Sequence, residues 1–153
     1  MKLYEVSERE IDEIDFNGLD ELLGFLIRVA QVQVFEQYEE IREKYDVHVG
    51  AASTLIVIGA NPGIRHGVLA EALKIKLAHM TKMIKSFEER GLVQRQNIST
   101  DRRIVELSLT PAGRRFVDRI RPLMIDHDRS RLRQLTNPER SQLIKLLKKF
   151  IGH

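Results

Sequence analysis

Within nine residues, Leu77, Ala78, His79, Thr81, Lys82 and Lys85 bring together ammonium groups, an imidazole, a hydroxyl and two apolar surfaces. Lysine reaches phosphates or guanine O6 and N7, His79 and Thr81 can hydrogen-bond base edges, and Leu77 or Ala78 can meet a thymine methyl. A second group, Asp101-Arg102-Arg103, sets two guanidinium groups beside one carboxylate. The carboxylate can hold one arginine by a charge-assisted hydrogen bond while the other projects, which suits a narrow minor groove. Arg65, next to His66, stands ahead of both groups, where a further phosphate could sit. Covalent catalysis has no comparable support. The chain lacks cysteine and any G-x-S-x-G, H-E-x-x-H, P-loop or G-x-G-x-x-G pattern. His48, His66, His79, His127 and His153 are scattered without metal-ligand spacing, so no enzyme, metal or cofactor is expected.

These groups need elements to carry them. Val68, Leu69, Ala72 and Leu73 recur at helical spacing, and Met80, Met83, Ile84 and Phe87 repeat as i, i+3, i+4, i+7. Two amphipathic helices follow, joined by a turn at Lys74-Ile75-Lys76 in which Ile75 plugs the corner. The second helix faces its core with the methionine-rich set, which leaves the six residues named first outside or at the margin. Gly91 suits the left-handed conformation that ends a helix. Beyond it, residues 92–96 and 104–109 carry β-branched residues with partial alternation, and turn formers fill residues 97–103. Helix, turn, helix and hairpin in that order outline a winged helix-turn-helix, mainly α with a small β-hairpin wing.

The same residues resemble the MarR family of bacterial transcription regulators. The matching motifs are LAEALKI, the helix end FEERGLVQR, Asp101-Arg102-Arg103 at the wing, and Leu109-Thr110-Pro111-Ala112-Gly113 opening the next helix. The likeness extends more loosely over residues 17–150. It implies a two-fold dimer bound to a pseudo-palindromic double-stranded DNA, more often a repressor, with Arg102 toward DNA and Arg103 braced by Asp101. It also implies a small-molecule pocket under the long first helix. One residue departs from the pattern: Lys76 stands where many relatives place a serine or threonine to cap the recognition helix.

The flanking segments read as helices. Ser7-Glu8-Arg9-Glu10 has capping-box form and predicts a short helix to about Ile14. The set Leu19, Leu22, Leu23, Leu26, Val29, Ala30 and Val34 predicts one long helix over residues 19–45. Arg28 falls inside that pattern, where it could meet an anionic or aromatic effector or simply be solvated. Residues 47–60 carry no charge and predict a short buried helix at 51–58, with Ser53 and Thr54 able to face a pocket or back-bond to the helix. Thr110-Pro111 and Asn137-Pro138-Glu139 each read as a cap followed by proline at the first helical position. The last helix carries Leu143, Ile144, Leu146, Leu147, Phe150 and Ile151, a stripe that needs a cover.

The expected organisation is one chain in three parts: residues 1–46 and 111–153 as a discontinuous dimerisation region, and residues 47–110 as the DNA-binding region. Charge follows the same division. Residues 1–46 hold 5 Lys/Arg against 13 Asp/Glu, whereas residues 61–115 hold 11 against 5. A basic block that coincides with the winged-helix pattern suits release of counterions from DNA. No run of about 18 apolar residues is present and the first residues are charged, so a cytoplasmic protein without membrane association is expected. The rival readings are a winged-helix interaction adaptor that does not bind DNA and, less well supported, a small enzyme.

Overall fold

The period change seen in the sequence reappears as backbone. The computed structural model describes residues 13–36, 38–97, 105–131 and 134–152. Among them the chain forms seven α-helices and three strands: α1 (Leu23–Glu36), α2 (Glu39–Tyr45), α3 (Val49–Ala60), β1 (Ile64–Arg65), α4 (His66–Ala72), α5 (Leu77–Glu89), β2 (Val93–Asn97), β3 (Val105–Leu109), α6 (Pro111–Arg131) and α7 (Asn137–Ile151). The expected fold class is the one adopted. The helix expected from Ser7, the wing-tip residues Asp101, Arg102 and Arg103, and Leu132 lie outside the described residues, apart from Glu13 and Ile14.

The chain divides after Glu36 into two units. In the first, the Asn17 amide donates to Asp15 Oδ1 at 2.8 Å, and Asn17 (φ 50°) and Gly18 (φ 81°) turn the backbone before a 3-10 turn at Leu19–Glu21. Phe16 and Phe25 pack with ring centroids 5.7 Å apart. No residue of α1 is buried.

The second unit opens with a short helix of its own. Residues 19–45 do not form one helix, because α2 starts separately at Glu39. Its own signals explain this: Glu39 and Glu40 occupy the first turn and Arg42 and Lys44 the last, complementing the helix dipole. Asp46 then takes a left-handed conformation, φ 48°. The helix expected at 51–58 is longer, running Val49–Ala60.

The main core joins Leu55 and Ile58 of α3, Leu69 and Ala70 of α4, Met80, Ile84 and Phe87 of α5, the hairpin residues Val93, Leu107 and Leu109, and Val117 of α6. On α4 the inward residues are Leu69 and Ala70. Val68 and Ala72, expected on that face, are exposed. Ile75 packs against the core as the corner plug, while Lys74 absorbs the turn at φ 52°. The strands pair in the order β1-β3-β2, both pairs antiparallel. Val93 lies opposite Leu109 and Asn97 opposite Val105, which makes the hairpin. β1, which the sequence did not announce, sets Ile64 opposite Leu107 and Arg65 opposite Glu106.

A second cluster of Val47, Ala52 and Ile120, flanked by Tyr45, Phe116 and Met124, seats α6 on α3. The cap of α7 is Thr136 rather than Asn137, and Pro138 is therefore at the second helical position. Thr136 and Glu139 form the complete capping box, the Glu139 carboxylate accepting from the Thr136 amide at 2.8 Å.

Candidate nucleic-acid interface

Helix α5 separates its two faces sharply. Met80 and Ile84 are fully buried and Phe87 nearly so, and each anchors α5 to the core. Leu77, Ala78, His79, Thr81, Lys82 and Lys85 are all exposed. Leu77, Ala78, Thr81, Lys82 and Lys85 follow the i, i+3, i+4 rule and make one stripe. The Thr81 hydroxyl donates to the Leu77 carbonyl at 2.9 Å, so its oxygen is left to accept, as from a base amino group. Lys85 lies 3.8 Å from Glu89 in a solvent-exposed pair of little energetic weight. Lys82 makes no ion pair among the described residues. Lys76 caps the helix by backbone position only, without a side-chain hydrogen bond, so the expected departure at that residue holds.

The margin of this face is concave. His79, Lys82, Met83, Ser86 and Phe87 line a cavity of about 570 Å³ between α5 and the α2–α3 turn, which contributes Asp46, Val47 and His48. His79 and Lys82 therefore stand at the edge of the stripe.

Arg65 is exposed on β1, beside the wing strands. Sequence reasoning missed Arg95 on β2, which bonds Glu88 of α5 at 2.9 Å and ties the wing to the helix. It also gave His66 only a surface role. His66 is half-buried, with its Nε2 enclosed and without a hydrogen-bond partner among the described residues. Burial pushes its pKa down, the Arg95 charge adds to this, and a bond with the Met80 backbone partly opposes both.

A stability prediction follows from that shift. The folded protein resists protonating His66, so the unfolded chain binds the proton first as pH falls below the ordinary imidazole value of 6.5. Stability is full above that value and is lost as pH drops toward the lowered folded pKa. The carboxylates held low by hydrogen bonds, Glu39, Glu71 and Glu139, act only below their ordinary 4.5. The melting temperature should therefore fall as pH drops below 6.5, and His66→Gln should flatten that slope. An unchanged slope in the variant would refute the assignment.

A second cavity, about 370 Å³, lies among α3, α6 and α7 and is lined by Ile56, Arg121, Met124, Ile125, Asp128, Arg129 and Arg140. Arg140 pairs with Asp128, and its Nε is buried without a partner among the described residues. Thr54 is fully buried and its hydroxyl donates to the Gly50 carbonyl at 2.8 Å. Neither Thr54 nor the half-buried Ser53 lines either cavity. Arg28 is exposed on α1, in the other unit. The five α6 residues of this cavity recur as i, i+3, i+4, i+7, i+8, a mixed charged and apolar stripe that was readable in the sequence.

Comparison with known proteins agrees with this architecture. The model of the MarR family matches residues 47–105, which is α3 through the start of β3. A protein assigned as transcriptional regulator of the hcr operon in Thauera aromatica is 34% identical over 145 residues, covering 94% of this chain and 87% of its own. The chain belongs to the MarR family. It is a transcription regulator with a winged-helix DNA-binding fold. The transcriptional repressor CouR, bound to a 23-mer DNA duplex, superposes with a TM-score of 0.82 at 30% identity, covering 91% of this chain and 99% of that one. CouR bound to p-coumaroyl-CoA gives 0.80 at 28% identity, covering 91% and 98%.

The geometry gives the MarR motif after β3 a physical reason. The Thr110 amide donates to the Leu92 carbonyl at 3.0 Å, and its hydroxyl donates to the Gly91 carbonyl at 2.6 Å. That hydroxyl also accepts from the Gly113 amide at 3.0 Å, capping α6. One threonine thus stitches the end of α5 to the start of α6. Among the described residues no helix is long and apolar enough to cross a membrane.

Proposed function

We propose that this MarR-family chain is a homodimeric repressor that binds pseudo-palindromic double-stranded DNA through α5 and the wing, and leaves it when a small anionic aromatic ligand binds. The observation that carries the DNA reading is the two-faced α5, anchored by Met80, Ile84 and Phe87 and free on its basic side. Arg65, Leu77, Ala78, His79, Thr81, Lys82 and Lys85 form the described part of the interface. Arg102 is the wing group assigned to the minor groove on the family motif, with Arg103 braced by Asp101. The interface binds and turns nothing over.

Dimerisation rests on apolar surface left uncovered at both ends of the chain. Leu23, Leu26, Val32 and Phe35 of α1 are about half exposed, and on α7 Leu146, Phe150 and Ile151 are 55%, 65% and 62% exposed. A helix rarely leaves an apolar face this exposed unless a partner covers it. Residues 1–46 and 111–153 supply that shared region, and residues 47–110 the DNA-binding one. Light scattering at micromolar concentration should give a dimer, and a folded monomer would refute this part.

The effector reading rests on the α3, α6 and α7 cavity. Three guanidinium groups, one already paired with Asp128, suit the phosphates or carboxylate of an anion, and Ile56, Met124 and Ile125 suit an aromatic ring. CouR is bound to p-coumaroyl-CoA in one of its structures, which makes an aromatic acyl-CoA the first compound to test here. Arg28 on α1 is a further candidate contact. An aromatic acyl-CoA should raise the melting temperature and dissociate the DNA complex, since a ligand of the folded state stabilises it. Free CoA and free aromatic acids provide the comparison. No response to any of the three would remove the effector reading and leave the DNA reading standing.

The wing makes its own prediction. Arg102→Ala should lower affinity on most duplexes and reduce the salt slope by about one unit, as one backbone-directed charge is lost. Binding like wild type, with Arg103→Ala impaired and its melting temperature intact, would exchange the roles of the two arginines.

A further inference from the structure

Arg90 ends the recognition helix and reaches across to the end of α2. Its Nη1 donates to the Asp46 carbonyl at 2.8 Å and its Nη2 to the Tyr45 carbonyl at 3.2 Å. Those oxygens sit at the C-terminal end of α2, where backbone carbonyls have no partner within the helix. The guanidinium carbon lies 5.7 Å from the centroid of the Phe116 ring of α6. Tyr45 meets the same ring edge-on, with centroids 6.4 Å apart and planes at 84°. One planar fork therefore joins the ends of α5 and α2 and rests on α6.

We propose that Arg90 is a positioning residue for DNA recognition: it fixes the angle at which α5 is presented, without touching DNA itself. The proposal rests on the reading of α5 as the recognition helix. Met80, Ile84 and Phe87 hold α5 by apolar contact, which is strong but non-directional and tolerates small rolls of the helix about its axis. Two hydrogen bonds from a charged, planar donor to carbonyls of another helix are directional, and the aromatic face beneath restrains the plane of the fork. Base-edge contacts tolerate displacements of well under an ångström, so a restraint on roll acts on specific binding. Attraction between lysines and phosphates is long-range and hardly changes with such a roll.

Lysine at this position keeps the charge and the length but cannot fork two carbonyls. Arg90 is exposed at the end of its helix, so Arg90→Lys and Arg90→Gln are both compatible with the fold. The test uses the full chain and a duplex selected from random DNA by the wild type, against a scrambled duplex of equal length. Both are titrated over a salt series, with melting temperatures in parallel. Arg90→Lys should bind the selected duplex about tenfold more weakly, bind the scrambled duplex as wild type does, and keep the wild-type salt slope. Arg90→Gln should show the same loss of preference, and if it fails to fold, Arg90→Lys decides alone. Unchanged affinity of Arg90→Lys for the selected duplex overturns the proposal. Equal weakening of Arg90→Gln on both duplexes, with a slope lower by about one unit, also overturns it, because that marks a direct phosphate contact. A wild type that prefers no duplex overturns the recognition-helix reading, and the proposal with it.

Discussion

Gly113→Ala should destabilise the protein by about 3 kcal/mol, the upper end of what overpacking costs, although alanine is ordinarily the better helix former. A Cβ at residue 113 would lie 1.9 Å from the Leu92 carbonyl oxygen and 2.8 Å from its carbon. Both atoms are backbone and cannot swing aside. That carbonyl also accepts the Thr110 amide, so backing α6 away breaks the stitch between the end of α5 and the start of α6. At about 2–4 °C per kcal/mol for a domain of this size, the melting temperature should fall by roughly 10 °C. Gly50→Ala is the matched control, since a Cβ there meets nothing within 4 Å. It should leave stability unchanged or raise it by up to about 1 kcal/mol. A Gly113→Ala protein that melts like wild type would show that α6 does not approach Leu92 this closely in solution.

His79→Ala and Lys82→Ala should each change which sequence is preferred. Losing a contact to a base edge costs about 1–3 kcal/mol on the preferred base and far less on the others, which relaxes specificity at one symmetric pair of positions. Both side chains are exposed and neither supports the core, so their melting temperatures should match wild type. They also border the 570 Å³ cavity at the edge of the stripe. Variants that lose affinity equally on every duplex would assign the two residues to phosphates instead.

Much of this fold was legible because its periods are clean. Met80, Ile84 and Phe87 marked the inner face of α5, and all three are buried. The hairpin was readable from its β-branched residues, and β2 and β3 pair antiparallel. Other features were hidden for definite reasons. β1 has two residues, too few for any period, and is held by Gly63, whose amide lies 2.9 Å from the Leu107 carbonyl and 3.0 Å from Ser108 Oγ. The break before α2 was masked because Tyr38 and Ile41 continue the apolar stripe, and both are buried. Its signal was the acidic pair Glu39 and Glu40, which opens a new helix. Arg90 and Arg140 act on residues 44 and 12 positions away. No local spacing announces partners brought together only by tertiary structure. Thr54 could turn outward or back-bond by sequence alone, and burial in the core selects the second.

Selection of duplexes from a random pool by the purified protein tests the central claim most directly. In the proposed two-fold dimer, the two copies of α5 enter successive major grooves on one face of the DNA. The account predicts enrichment of an inverted repeat with half-sites about one helical turn, roughly 10 base pairs, from centre to centre. Enrichment of a single unrepeated element, or no enrichment by a protein that is folded and dimeric, would contradict it.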